Sequence, residues 1–185
     1  RQRQMCIRDR YRNMIGDCSA EVVSSTVPCS TKWMKGTVNS FYIGIIATFI
    51  ATVLGTMAAL GLSRPHMPYK ALIMSILISP MIVPLIITAA GMFFFYARIN
   101  LVYTFTGVIL AHVALATPFV VITVTATLVG FDMNMVKAAQ SLGAKPMRTF
   151  FKVIMPLILP GIISGALFAF ITSFDEVVIV MFMAS

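Results

Sequence analysis

Long apolar runs dominate the sequence and restrict the chain to a membrane-spanning helical fold. Four such runs are predicted to be spans, at residues 41–62, 71–97, 102–129 and 157–183. A helix needs about 20 residues to cross a bilayer, and each run reaches that length. The runs are continuously apolar and lack the alternation of a barrel strand, so only helices satisfy their backbone in lipid. The sequence therefore predicts an all-α, polytopic membrane helix bundle.

The composition supports the same class and excludes an ordinary water-soluble globule. Hydrophobic residues make up 59% of the chain, charged residues 11%, and the mean hydropathy is +0.94. A soluble domain has about 25% charged residues. The formal charge of +8 is concentrated in the first twelve residues, which hold Arg1, Arg3, Arg8, Arg10 and Arg12. The net charge therefore does not indicate a nucleic-acid partner.

Residues 1–12 are interpreted as an adapter-derived artefact. Residues 4–10 read QMCIRDR, which matches an in-frame translation of a transposon end used in preparing sequencing libraries. A basic arm for lipid or nucleic acid is the alternative. Residues 13–40 are then expected to form a polar extracytoplasmic segment. It holds Cys18 and Cys29, which are interpreted as incidental thiols, although a disulfide in an oxidising compartment is the alternative.

A polar and basic segment, residues 137–161, lies between the third and fourth apolar runs. The pattern of residues 135–142 predicts a short amphipathic helix. Gly143 is expected to end this helix, because glycine adopts the left-handed conformation without a Cβ penalty. A second helical piece with three basic residues should follow, at Lys145, Arg148 and Lys152. The segment is therefore a candidate docking site for a soluble partner.

The same segment carries a spaced set of small and apolar residues: Ala138, Ala139, Gly143, Val153, Met155 and Pro156. This spacing resembles the cytoplasmic loop of the permease subunits of binding-protein-dependent ABC importers. In that family the pattern is Glu-Ala-Ala, three residues, Gly, nine residues, then Ile-x-Leu-Pro. Lys137 occupies the position of the family's glutamate. The resemblance implies that Lys137 and these six residues couple the chain to a cytoplasmic ABC ATPase.

The basic residues of the loops predict the orientation. Six of them lie on one side: Arg64, Lys70, Lys137, Lys145, Arg148 and Lys152. The other side has Lys32, Lys35 and Arg98, so the positive-inside rule makes the loop at residues 130–156 cytoplasmic. Inclusion of residues 1–12 would reverse this orientation. Residues 41–185 would then form a permease domain of the MetI-like type, an internal fragment with four complete spans of a six-span subunit.

A second motif, SFDEVV at residues 173–178, is similar to the Ser-x-Asp-Asp/Glu-Val-Val run of spermidine/putrescine permeases. The resemblance covers residues 39–185 and implies a multi-pass subunit of the bacterial inner membrane that imports a small cationic polyamine. Asp175 and Glu176 are the candidate residues of the substrate path. A charge facing lipid costs at least about 2.5 kcal/mol, so both should face the bundle interior, a cavity or a partner. A role in holding helices together or in gating is the alternative, as is import of iron, sulfate or phosphonate.

Other residues of the apolar runs are predicted to have structural roles. Pro80, Pro84 and Pro118 are expected to kink their helices. Small residues of the first run are expected to allow close helix packing: Gly44, Ala51, Gly55, Ala58, Ala59 and Gly61. His112 is the sole ionisable group of the third run. A hydrogen bond to a neighbouring helix is favoured over a proton relay, because no second titrating partner accompanies it.

The sequence does not predict an enzyme, a metal site or a cofactor in this chain. It lacks a glycine-rich phosphate loop and lacks the paired residues of an intramembrane protease. The resemblance implies that ATP and Mg²⁺ bind to a partner ATPase dimer. It also implies a second permease subunit, a periplasmic or lipid-anchored solute-binding protein, and membrane lipid as partners. A channel or scaffold remains the alternative, but it gives no reason for the spaced loop pattern.

Overall fold

The computed structural model describes residues 32–64, 67–130 and 134–183, and within these ranges all regular structure is helical. In chain order the elements are α1 (Lys32–Leu62), α2 (Lys70–Ile82), α3 (Leu85–Arg98), α4 (Phe105–Val129), α5 (Asn134–Ser141), α6 (Pro146–Thr149), a π-helical turn (Phe150–Ile154), α7 (Met155–Asp175) and α8 (Val178–Met183). The prediction of an all-α fold is confirmed. The interpretation of residues 1–12 and of the two thiols at Cys18 and Cys29 lies outside the described residues.

The chain divides into two compact units, Arg1–Tyr42 and Ile43–Ser185. Of the first unit the structure describes residues 32–42, which form the beginning of α1. Helix α1 therefore begins inside the segment that was expected to be a polar connection. Lysine and methionine are good helix formers, so the helix does not need an apolar run to begin.

Three helical stretches of the described residues are long and apolar enough to cross a membrane: Met34–Leu62, Phe105–Val129 and Pro146–Asp175. A fourth crossing is obtained if α2 and α3 are counted together. These two helices meet at an angle of 105°. The predicted span at residues 71–97 therefore consists of two helices in the structure, with the expected proline kink between them.

The bend between α2 and α3 has a local cause in Pro84. The ring of a proline disfavours the helical conformation of the residue before it. Val83 is accordingly extended, with φ −74° and ψ 138°, and α3 begins immediately after Pro84. Pro80 and Pro118, by contrast, lie inside α2 and α4. Of these three prolines only Pro84 interrupts a helix.

The last predicted span also differs from the structure. It was expected to run over residues 157–183, but α7 begins at Met155 and ends at Asp175. Glu176 leaves the helical conformation, with φ −80° and ψ 101°, and the short helix α8 follows. The side chain of Glu176 bonds to the backbone of α8 and so stabilises the new helix. The apolar run is therefore divided into two helices.

Helix α4 is at the centre of the bundle, and α7 packs along it in the opposite direction. The contact face of α7 consists of small residues at intervals of four, namely Gly161, Gly165, Ala169 and Ser173. A Cβ atom on Gly165 would lie 3.0 Å from Cα of Val120, and one on Gly161 would lie 3.2 Å from the carbonyl oxygen of Thr123. The two backbones therefore approach as closely as small residues permit, as is typical of membrane helix pairs.

Helix α1 contributes a second face of small residues. Ala47, Ala51 and Ala59 are buried in one cluster with residues of α4 and α7. A Cβ atom on Gly55 would lie 2.7 Å from Cβ of Val120. The prediction of close packing through small residues of this helix is therefore confirmed. Gly61 is the exception, because no heavy atom lies within 4 Å of its Cβ position.

Candidate functional site: the polar loop and the break between α7 and α8

The polar loop after α4 contains a short helix that ends in a Schellman motif. Helix α5 covers Asn134–Ser141, close to the amphipathic helix predicted at residues 135–142. The N–H of Gly143 donates to the carbonyl of Gln140 at 2.9 Å, and the N–H of Ala144 donates to the carbonyl of Ala139 at 3.1 Å. Gly143 has φ +77°. The predicted helix stop at Gly143 is confirmed, and both hydrogen bonds are those that define the motif.

A second helical stretch leads from the Schellman motif into the membrane-spanning helix. Lys145 is the N-cap residue of α6, and Pro146 occupies its first turn, where a missing N–H has no cost. The π-helical turn Phe150–Ile154 then joins α6 to α7. The N–H of Met155 donates a hydrogen bond to the carbonyl of Phe150, five residues earlier, which is the spacing of a π-helix. Pro156 follows at once, and a proline ring clashes with the carbonyl four residues before it. The wider turn removes that clash.

The loop exposes apolar side chains outside the bundle. Leu142, the residue before the glycine corner, is 88% exposed. Met135 on α5, Met147 on α6 and Phe151 in the π-helical turn are also exposed. Exposed large apolar groups that surround one corner of the chain indicate a contact surface. We call these four residues, Met135, Leu142, Met147 and Phe151, the loop surface.

The residues predicted to couple the chain to an ATPase occupy different parts of this loop. Lys137 and Ala138 are exposed on α5, whereas Ala139 is half-buried on its other face. Gly143 is the exposed corner. Val153 and Met155 are half-buried where the π-helical turn joins α7, and Pro156 is exposed on the first turn of α7. The first four residues thus accompany the loop surface, while the last three lie at the base of α7.

Positive charge surrounds the loop surface. Lys137, Lys145, Arg148 and Lys152 are all exposed, and none of them forms an ion pair within the described ranges. Four exposed cations beside apolar groups favour a partner that is both apolar and acidic at its contact surface.

The second candidate site is the break between α7 and α8, which holds both carboxylates of the motif. Asp175 is the last residue of α7, and its side chain is exposed. Glu176 is half-buried, and its Oε1 accepts a hydrogen bond from the N–H of Ile179 at 3.1 Å. Because Glu176 lies outside the helix, the two carboxylates are not successive positions of one helix. One carboxylate is tied to α8 and the other is available to a ligand or neighbour.

Helix α8 is packed firmly behind this break. Ile179 and Met183 are fully buried in a cluster with residues of α3 and α4, including Ala89 and Tyr96. The carbonyl of Met183 accepts a hydrogen bond from the N–H of Tyr103 at 2.9 Å, in the connection between α3 and α4. Glu176 is therefore bonded to a short helix that is itself anchored in the bundle.

A buried polar pair lies one helical turn from the break. Nδ1 of His112 on α4 and Oγ of Ser173 on α7 are hydrogen-bonded at 2.8 Å. The predicted hydrogen bond of His112 to a neighbouring helix is thus confirmed. The sequence did not identify Ser173 as its partner. The signal was present, since Ser173 continues the four-residue spacing of Gly161, Gly165 and Ala169.

The two candidate sites lie at opposite ends of α7. The loop joins its first residue, Met155, and the carboxylates follow its last turn. At 1.5 Å per residue a helix of this length extends about 30 Å, which is the thickness of a bilayer's hydrocarbon core. One helix, packed on α4, therefore connects the polar loop to the carboxylates.

Comparisons with known proteins identify a family and several relatives of this chain. Residues 51–185 match the family model described as "Binding-protein-dependent transport system inner membrane component". The chain is 32% identical to the "Spermidine/putrescine transport system permease protein PotC" of Haemophilus influenzae over 151 residues, which cover 82% of this chain and 59% of that protein. Its identity to PotC of Escherichia coli K12 is 28% over 163 residues, 83% of this chain and 62% of that protein.

A relative with a different named solute is equally similar. The chain is 33% identical over 144 residues to the "Trehalose transport system permease protein SugB" of Mycobacterium tuberculosis, with 78% of this chain and 53% of that protein covered. The chain thus spans less than two thirds of the length of each of these relatives.

Proposed function

Because the chain belongs to the family of inner membrane components of binding-protein-dependent transport systems, we propose that it is a permease subunit of an ATP-driven importer. In this role it carries no ATP site and pairs with a second permease subunit in the bacterial inner membrane. A cytoplasmic ATPase dimer supplies the energy, with ATP and Mg²⁺ bound there, and a solute-binding protein delivers the solute from outside. The name of the matching family supports the binding protein as a partner.

The observation that carries this proposal is the loop surface. Leu142 and its three apolar neighbours are exposed beside the glycine corner, and four unpaired cations surround them within the described residues. An apolar corner on a polar loop is the shape that a groove on a soluble subunit binds. The loop leads through the π-helical turn into the first residue of α7, Met155. Movement of a docked partner is therefore transmitted along α7 toward the carboxylates at its other end. Docking at one end and a solute path at the other define a coupled transporter.

Cysteine cross-linking tests the docking. We expect Leu142→Cys to cross-link to the ATPase in a variant of the full-length subunit whose native cysteines have been replaced. Tyr103→Cys is the matched control, because Tyr103 is also exposed but lies in the connection that precedes α4, at the other end of that helix. The measurement is the yield of the cross-linked product on denaturing gels. A strong product from Tyr103→Cys with none from Leu142→Cys would contradict the proposed docking and orientation.

A cationic solute of the polyamine class fits the α7–α8 break best. Asp175 presents an exposed carboxylate at the end of the connecting helix, and Glu176 adds a second negative charge beside it. An ammonium group is bound by carboxylates through charge-assisted hydrogen bonds. The relatives named spermidine/putrescine permeases support the same class. We therefore propose putrescine or spermidine as the solute.

A sugar is the second candidate, and the relative named as a trehalose permease favours it. Carboxylates also accept hydrogen bonds from hydroxyl groups, so the same two residues would serve a sugar. The two solutes differ in charge. The ammonium group of a polyamine binds a carboxylate much more strongly than a neutral acceptor, whereas the hydroxyl group of a sugar does not require a negative partner. Neutral substitution at Asp175 therefore separates the two solutes.

A further inference from the structure

The buried pair of His112 and Ser173 takes no part in the proposed docking to the ATPase or in the proposed contact with the solute. His112 is 2% exposed and Ser173 is 6% exposed, so the hydrogen bond between them is shielded from solvent. It joins α4 to α7, whose backbones also approach closely at Gly161 and Gly165. Hydrogen bonds between membrane helices fix the position of one helix against the other.

Ser173 lies on the last turn of α7, where the sequence itself gives no reason for the helix to end. Residues 173–178 contain neither proline nor glycine, and apolar residues continue on the other side. The helix nevertheless ends at Asp175, two residues after Ser173. Two hydrogen bonds flank this end. The His112–Ser173 bond before the break joins α7 to another helix, whereas the bond from the N–H of Ile179 to Glu176 after the break is local to the start of α8.

We infer that His112 is a positioning residue, which fixes the end of α7 through Ser173 and thereby sets the position of Asp175. This inference rests on the proposed function, in which Asp175 contacts the solute. His112 itself does not touch the solute. It acts through a serine that is one half-turn of helix before the carboxylate.

The two ring nitrogens of His112 allow a sharp test. Nδ1 bonds to Ser173, whereas Nε2 is buried without a partner among the described residues. The amide of asparagine lies at the distance of Nδ1 from the backbone, and the amide of glutamine lies at the distance of Nε2. His112→Asn therefore keeps the bond to Ser173, while His112→Gln and His112→Leu lose it. Ser173→Ala removes the same bond from the other side.

The first readout needs no solute. A nitroxide label on Val177→Cys, an exposed position inside the break, reports local mobility by electron paramagnetic resonance. The full-length subunit is used in lipid nanodiscs, with its native cysteines replaced. We expect higher label mobility in His112→Leu and Ser173→Ala, and wild-type mobility in His112→Asn. Unchanged mobility in both disrupting variants would overturn the inference, whichever solute the protein transports.

The second readout separates positioning from general stability. At matched membrane abundance, the disrupting variants should raise the KM of uptake about three- to tenfold, as expected for the loss of one interhelical hydrogen bond. His112→Asn should restore the KM, and the double variant His112→Leu with Ser173→Ala should be no worse than either single variant. Recovery by His112→Gln without recovery by His112→Asn would overturn the inference, because Nε2 would then be the active atom.

The outcomes for the two proposals are distinguishable. If the wild-type transporter moves a sugar and no polyamine, the proposed solute is wrong, and the KM comparison is made with that sugar. If label mobility rises in the disrupting variants while the KM for the transported solute stays at the wild-type value, the positioning role is overturned.

Discussion

Replacement of Gly143 by aspartate is expected to reduce solute uptake by more than tenfold while the subunit still assembles in the membrane. Gly143 has φ +77°, a conformation that aspartate and asparagine tolerate better than other residues with a side chain. The main effect of the aspartate is therefore its negative charge. It lies beside the loop surface, whose exposed cations favour an acidic partner, so the charge repels that partner. Uptake and ATPase stimulation in proteoliposomes measure the effect.

Three further variants separate backbone strain from charge. Gly143→Val should be as damaging as aspartate, since β-branched residues rarely adopt positive φ. Gly143→Asn should retain most activity, because asparagine tolerates this conformation and is uncharged. Gly130→Ala is the matched control, since Gly130 lies at the end of α4 with φ −78° and needs no special conformation. Normal uptake by both Gly143→Asp and Gly143→Val would refute the coupling role of this corner.

Asp175→Asn is expected to raise the KM for a polyamine about ten- to a hundredfold. A hydrogen bond to a charged group contributes about 1.5–3 kcal/mol, and each 1.4 kcal/mol corresponds to a factor of ten. The side chain is exposed at the end of α7, so its replacement by the isosteric amide leaves the helix intact. For a sugar the amide still offers a hydrogen-bond acceptor, and the KM should change little. The measurement is labelled uptake at matched subunit abundance.

Substitutions at Glu176 supply the control for local structure. Glu176→Gln keeps an oxygen that accepts from the N–H of Ile179, so α8 should stay in place and only the charge is lost. Glu176→Leu removes the acceptor as well and should lower thermal stability in addition to uptake. If Asp175→Asn and Glu176→Gln both show the KM and rate of the wild type, the carboxylates do not bind a cation, and the polyamine proposal loses its physical support.

The polar loop was largely predictable, because its signals are local. Gly143 adopts φ +77° because it has no Cβ atom, which can be read from this residue alone. The amphipathic pattern that predicts α5 extends over only about two helical turns. The spaced family pattern lies within the same segment. Sequence alone therefore identified the helix, its end and the residues that accompany the loop surface. The π-helical turn was not anticipated, although Pro156, which follows directly, gives a physical reason for it.

The ends of the apolar helices were much less predictable. Pro84 breaks a helix while Pro118 lies within one, and the choice depends on whether neighbouring helices support the kinked backbone. The end of α7 at Asp175 is not marked by proline or glycine, and the His112–Ser173 bond beside it joins residues that are distant in sequence. Small-residue spacing on α7 could have identified its contact with α4. It could not have identified which residue of α4 lies opposite Ser173.

ATP-driven uptake in proteoliposomes tests the central claim most directly. The full-length subunit is reconstituted with its ATPase, second permease and binding protein, and labelled putrescine, spermidine and trehalose are offered separately. We predict uptake of the polyamines that requires ATP, is lost in Gly143→Asp and is weakened by Asp175→Asn. Uptake that proceeds equally without the ATPase, or that is confined to trehalose and insensitive to Asp175→Asn, would contradict an ATP-driven polyamine importer.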